Sequence, residues 1–308
     1  MESEGYCRSK TMSIQLFFID KMLRVMVKRR FRRNPDLMEL RAIMADMPLR
    51  PAPAHIAVEE VSLGGVAAEK LSSAQADPAK AMLYIHGGGF VGGVPGNHRA
   101  LTWRLADKIG IPVYAIDYRL APEHPFPAGL DDCVAAYCAL LDQGIAAKSI
   151  VIGGDSAGGN LTLTAALKLK ELGLPQPAAL VCLSPATDMD GFESRTTNIA
   201  RDAMFTPDMF PTLVPLYCPD TDPATQFISP YRGDVSGLPP TLIQCSRDEM
   251  LRDDSVMMAQ KLEAAGVPVT LEVWPKVFHV WQVMADVLPE SKRAIDDIVK
   301  FVRPHVTQ

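Results

Sequence analysis

Residues Gly154-Asp155-Ser156-Ala157-Gly158 stand between the apolar run Ser149-Ile150-Val151-Ile152 and a helix-like stretch from Asn160 to Leu172. A strand, a tight turn and a helix around Gly-x-Ser-x-Gly are the setting in which a serine is held on a strained bend as a nucleophile. The glycines are needed because a sharp strand-to-helix turn brings backbone too close for side chains at their positions. The serine then sits at the start of a helix, where free N–H groups also point. Alone the pentapeptide is a weak signal, and what lies before and after it decides the chemistry.

Upstream, the strand-like Ala81-Met82-Leu83-Tyr84-Ile85 runs into His86-Gly87-Gly88-Gly89-Phe90, with Gly92 and Gly93 close behind. Attack on a carbonyl builds an oxyanion, and rigid backbone N–H donors stabilise it by roughly 3–4 kcal/mol each. Consecutive glycines let backbone approach a ligand and aim those donors. The Gly-Lys-Ser/Thr ending of a nucleotide loop is missing, and no Gly-x-Gly-x-x-Gly opens the next helix.

Downstream, a nucleophilic serine needs a base, and the base needs an orienting acid. In the α/β-hydrolase order Ser precedes Asp or Glu, which precedes His. Only His279 and His305 come after Ser156, and His305 is close to the C-terminus. His279 lies just beyond the strand-like Val269–Trp274 and is the expected base. The acid should leave the strand Pro240–Cys245, where Ser246-Arg247-Asp248-Glu249 comes next. Asp248, the first carboxylate beyond the strand, is the expected acid and Glu249 its rival. Asp253 and Asp254 read as first-turn acids of the next helix.

His86–Phe90, the segment Tyr118-Arg119-Leu120-Ala121-Pro122-Glu123-His124-Pro125-Phe126-Pro127-Ala128 and Gly154–Asn160 occur in that order. With them the chain resembles the bacterial hormone-sensitive-lipase-like family of carboxylesterases, from about Ala81 to Val302. The resemblance implies Ser156, Asp248 and His279 as a catalytic triad. It implies Gly88, Gly89 and Ala157 as oxyanion-hole donors, and Arg119, Glu123 and His124 as supports of the glycine loop. It implies hydrolysis of short- to medium-chain acyl esters without cofactor or metal, and a homodimer formed through Val269 to Val302. Two departures stand out. Many members place Asp directly before Pro-Leu-Arg-Asp, whereas Asp248-Glu249-Met250-Leu251-Arg252-Asp253 carries an extra residue. Many have Gly-Phe after the histidine, whereas Val280-Trp281 here is expected to narrow the exit for the alcohol. Lactone hydrolysis would use the same machinery. The reading from a different class is a ligand-binding receptor on this fold that has lost catalysis.

Alternating apolar runs and helical patterns predict an α/β-hydrolase fold, a mostly parallel eight-stranded sheet covered on both faces. The expected strands are Ile56–Leu63, Val66–Leu71, Ala81–Ile85, Pro112–Asp117, Ser149–Gly153, Ala178–Leu183, Pro240–Cys245 and Val269–Trp274. The expected organisation is residues 1–50 as the first part of a helical cap, 51–187 as core, 188–231 as a cap insertion and 232–308 as core. Phe17, Phe18, Met22, Met204, Phe205, Met209, Phe210 and Leu213 are the expected pocket lining. The net charge of −5 gives no footing for nucleic acid. Ile14 to Val27 is interrupted by Asp20, Lys21 and Arg24, so no integral membrane segment is expected. The run Lys28-Arg29-Arg30-Phe31-Arg32-Arg33 is the one strong local charge feature. Six scattered cysteines, Cys7 among them, form no Cys-x-x-Cys pair and fit a reducing cytoplasm.

Overall fold

The computed structural model describes residues 12–31, 37–38, 41–42 and 51–306, with the backbone alone for 27–31. Every residue is buried in β3 (Ala81–Ile85), β4 (Val113–Ile116), β5 (Ile150–Asp155), β6 (Ala179–Leu183) and β7 (Thr241–Ser246). Strands apolar on both sides must be covered on both sides. The sheet adds β1 (Ile56–Leu63), β2 (Val66–Ser73) and β8 (Val269–Trp274), in the order β1-β2-β4-β3-β5-β6-β7-β8. Gly64-Gly65 closes the β1–β2 hairpin, with Leu63 opposite Val66. β2 meets β4 antiparallel, and the pairings from β4 to β8 are parallel.

Alternation along each strand builds two cores. Leu83 and Ile85 of β3 pack with α3 (Ala128–Asp142), α4 (Ala157–Glu171) and α7 (Arg252–Ala264). Met82 and Tyr84 face α2 (Arg99–Ile109) and α8 (Pro289–Val306). The eight expected strands are present, each end within two residues of its predicted limit. Parallel strands deliver their C-terminal ends to one edge, and β5, β7 and β8 all leave the sheet there.

Two helical segments lie on that edge. Residues 188–231 contain α5 (Ser194–Thr197) and α6 (Met209–Tyr217) and no strand. α1 (Ile14–Phe31) buries Leu16 against Trp274, Phe278 and Trp281. Ser13 anchors its start through N and Oγ, each 2.9 Å from a carboxylate oxygen of Glu290. Arg24 holds its middle, donating to the Arg201 carbonyl at 2.5 Å. The rest of the expected N-terminal helical stretch, apart from residues 37, 38, 41 and 42, lies outside the described residues. Among the described residues no helix is long and apolar enough to cross a membrane.

Asp254 is more than a first-turn acid. It is fully buried and pairs with Arg195 Nη2 at 2.7 Å while accepting the Thr187 N–H at 2.8 Å. It therefore ties α5 to the core. Removing one member of a buried pair strands the other charge and costs about 3–5 kcal/mol. Arg195→Met is expected to lower unfolding stability by that amount, measured by urea denaturation.

Candidate active site

Ser156 occupies the turn between β5 and α4 with φ 53° and ψ −116°. A non-glycine residue there is strained. The surroundings hold it: the Ser156 N–H donates to the Leu183 carbonyl at 2.8 Å, and its own carbonyl accepts the Asn160 N–H at 3.0 Å. The turn also needs Gly158, since a Cβ there would stand 2.0 Å from the Ile85 carbonyl oxygen. At the start of α4 the Ala157 N–H has no acceptor within its own helix.

The glycine loop leaves β3 directly beside this turn. Gly88 has φ 129°, and a Cβ on it would lie 1.9 Å from the Gly92 carbonyl oxygen. The Val91 and Gly92 N–H groups both donate to the Gly88 carbonyl, at 3.2 and 3.1 Å, folding the loop back on itself. Gly88, Gly89, Ser156 and Ala157 line one cavity of about 260 Å³ together with His279.

His279 is buried, 5% exposed, and its Nδ1 lies 2.6 Å from Glu249 Oε2. Glu249 is itself 1% exposed, and its Oε1 accepts the Ser246 N–H at 2.9 Å. Asp248, the carboxylate expected from the sequence, is elsewhere. Its Oδ2 accepts the Lys276 N–H at 3.1 Å, and Arg247 lies 3.7 Å away. The turn after β7 directs Asp248 to Lys276 and Arg247, and the longer Glu249 side chain folds back over the strand end to reach the imidazole. One sequence signal pointed there: counted back from Leu251-Arg252-Asp253, Glu249 stands where many family members carry their Asp.

The α/β-hydrolase fold family model matches residues 82–283. An acetyl-hydrolase of Streptomyces hygroscopicus is 42% identical over 245 residues, 79% of this chain and 81% of its own. An esterase of Acinetobacter venetianus is 34% identical over 288 residues, 92% of this chain and 95% of its own. The crystal structure of an esterase from the bacterial hormone-sensitive lipase family superposes with a TM-score of 0.88 at 38% identity, covering 96% of this chain and all of that one. The chain belongs to the hormone-sensitive-lipase-like esterases of the α/β-hydrolase fold. It is a carboxylic ester hydrolase.

Five of the expected pocket residues, Met204, Phe205, Met209, Phe210 and Leu213, line the esterase cavity. Phe17, Phe18 and Met22 do not: they are 40%, 63% and 47% exposed on the outer face of α1. That helix carries apolar residues on both faces, so its spacing could not say which face turns inward, and among the described residues Leu23 is the one from α1 in the cavity wall. Val280 lines the cavity in a left-handed conformation, φ 52°, whereas Trp281 is fully buried against Trp274 with centroids 5.5 Å apart. Trp281 therefore cannot narrow an exit. Of the expected loop supports, Glu123 accepts from Arg41 Nη1 at 2.6 Å, and Arg41 Nε donates to the Val91 carbonyl at 2.7 Å. Arg119 engages Asp132 at 2.7 Å, and His124 is exposed.

A buried polar network behind the serine escaped sequence reasoning, because Tyr84 reads as an ordinary core residue of β3. Asp155 accepts the Tyr84 hydroxyl at 2.7 Å and lies 3.1 Å from His98 Nε2. His86 stacks between His98 and Tyr118, and the Tyr118 hydroxyl donates to its carbonyl at 3.0 Å. Burial pushes the Asp155 carboxyl up, but the His98 charge and the two hydrogen bonds outweigh it and hold it below the usual range. Burial likewise pushes His98 down, and Asp155 more than reverses this. Burial and the neighbouring His98 push His86 down to about 4.

The folded His98 thus binds its proton more tightly than the unfolded one. Its pairing with Asp155 is fully stabilising below an unfolded histidine value of about 6.5 and is lost as pH rises through the higher folded value. The stability gap between the native esterase and His98→Asn is expected to be widest near about pH 5.5 and to narrow toward about pH 9. Urea midpoints across that range check this.

Proposed function

We propose that Ser156, His279 and Glu249 form a catalytic triad that hydrolyses esters through an acyl-enzyme. The 2.6 Å contact of His279 Nδ1 with Glu249, beside the cavity that Ser156 opens into, carries the reading. Glu249 fixes the tautomer, with the proton on Nδ1 and a lone pair on Nε2. As Ser156 Oγ attacks the ester carbonyl, Nε2 takes its proton. The Gly88, Gly89 and Ala157 N–H groups receive the oxyanion. His279 then protonates the departing alkoxide, and water attacks the acyl-enzyme by the same relay in reverse roles.

α1 and residues 188–231 act as a cap on core segments 51–187 and 232–306, excluding water from the reacting carbonyl, while most of the remaining expected 1–50 cap segment lies outside the described residues. A cavity of about 260 Å³ walled by Met204, Phe205, Met209, Phe210 and Leu213 favours short acyl chains. The similarity to an acetyl-hydrolase supports the same preference. Lactones use this chemistry equally, and nothing in the wall favours them. A catalytically dead receptor does not need the His279–Glu249 pair. Cys133, Cys182, Cys218 and Cys245 are buried free thiols, which fits a reducing cytoplasm, whereas Cys7 lies outside the described residues. β8 pairs only with β7 among the described strands, and a homodimer across that edge is the assembly we propose.

Ser156→Ala and Glu249→Gln are each expected to lower kcat on p-nitrophenyl acetate by roughly 10⁴-fold, whereas Asp248→Asn stays within about threefold. The reverse ranking of the two carboxylates would transfer the role to Asp248. Leu213 presses on the glycine loop, its Cδ1 2.8 Å from where a Gly89 Cβ would be. Leu213→Ala is expected to raise kcat/KM for octanoate relative to acetate esters by about tenfold, read from a chain-length panel.

A further inference from the structure

α1 has two apolar faces, and among the described residues one of them packs on the core. Leu16, Ile19 and Leu23 turn inward to the cluster around Trp274 and Trp281. On the other face Ile14, Phe17, Phe18, Met22, Val25 and Met26 are 70%, 40%, 63%, 47%, 62% and 55% exposed. Recurring every three to four residues, they make one stripe about 18 Å long. Lys21 lies within it, with its ammonium 4.3 Å over the Phe17 ring. A row of large apolar side chains in water marks a contact surface.

The basic run at the end of the stripe selects the contact. Lys28, Arg29 and Arg30 occupy the last turn of the helix. These three cations stand in a chain of net charge −5. A second copy paired through the same stripe would cover the apolar row with its own α1, whose one acid, Asp20, is held by Arg24. Nucleic acid would meet the charge but not the apolar row. An anionic lipid surface meets both: acyl chains take the stripe and headgroups the cations.

We propose that α1 docks the esterase on anionic phospholipid bilayers, lying in the headgroup plane with its stripe in the acyl boundary. Asp20, Lys21 and Arg24 keep it from spanning. Leu23, on the opposite face, belongs to the cavity wall, so the docked helix separates the bilayer from the ester site by its own thickness.

Co-sedimentation with phosphatidylcholine vesicles, with and without about one third phosphatidylglycerol, tests this. Affinity is expected to rise at least about tenfold on the anionic vesicles and to fall with added salt. Ile14→Glu/Val25→Glu and Arg29→Glu/Arg30→Glu should each abolish the rise, with circular dichroism unchanged; the salt dependence remains a readout should either variant unfold. Equal binding to both vesicle types, or binding that neither variant weakens, overturns the proposal. So does a dimer in gel filtration that Ile14→Glu/Val25→Glu dissociates, since a second copy would then be what covers the stripe.

Discussion

The start of α4 lies so close to the end of β3 that a single carbon added to Gly158 would come within 2.0 Å of the Ile85 carbonyl oxygen. This contact presses the start of α4 against the end of β3. Ser156 sits on one side of it, and the glycine loop departs from the other. The serine's φ of 53° persists because the strands on either side are buried throughout and cannot relax to relieve it. The Ser156 hydroxyl and the backbone N–H groups of the glycine loop are thereby positioned by one piece of packing rather than by separate loops.

The polar groups around that contact are held as firmly as the backbone. Asp155 is buried directly before Ser156, satisfied by Tyr84 from β3 and His98 from the turn before α2. An uncompensated carboxylate there would be costly, and a paired one bonds strand, serine turn and glycine-loop surroundings into a unit. Glu249 obeys a similar logic at the far end of the site. One oxygen takes the strand-end N–H of Ser246 and the other meets His279, so the carboxylate is immobilised before it orients the ring.

Most of the framework was legible because its signals are local. Continuous apolar runs announced the five inner strands, the Gly64-Gly65 pair announced the hairpin, and the glycines flanking Ser156 announced the turn. His279 came from chain order. The acid was harder. Asp248 and Glu249 are adjacent, and the choice between them depends on the path of a turn that no periodicity describes. α1 posed the same difficulty in another form: with apolar residues on both faces, its sequence contains no direction. Phe17 and Phe18 were therefore expected in the pocket, whereas Leu16 and Leu23 are the ones that turn inward.

By itself the sequence determined the chemistry available and the order in which the chain offers it, since strand burial, turn glycines and reactive side chains are properties of short segments. Only the tertiary structure decided which carboxylate meets the imidazole, which face of α1 is left in water, and that Tyr84 and His98 share Asp155. Those choices rest on contacts between residues distant in the chain, whose energies depend on orientation and burial that exist only once the sheet is assembled.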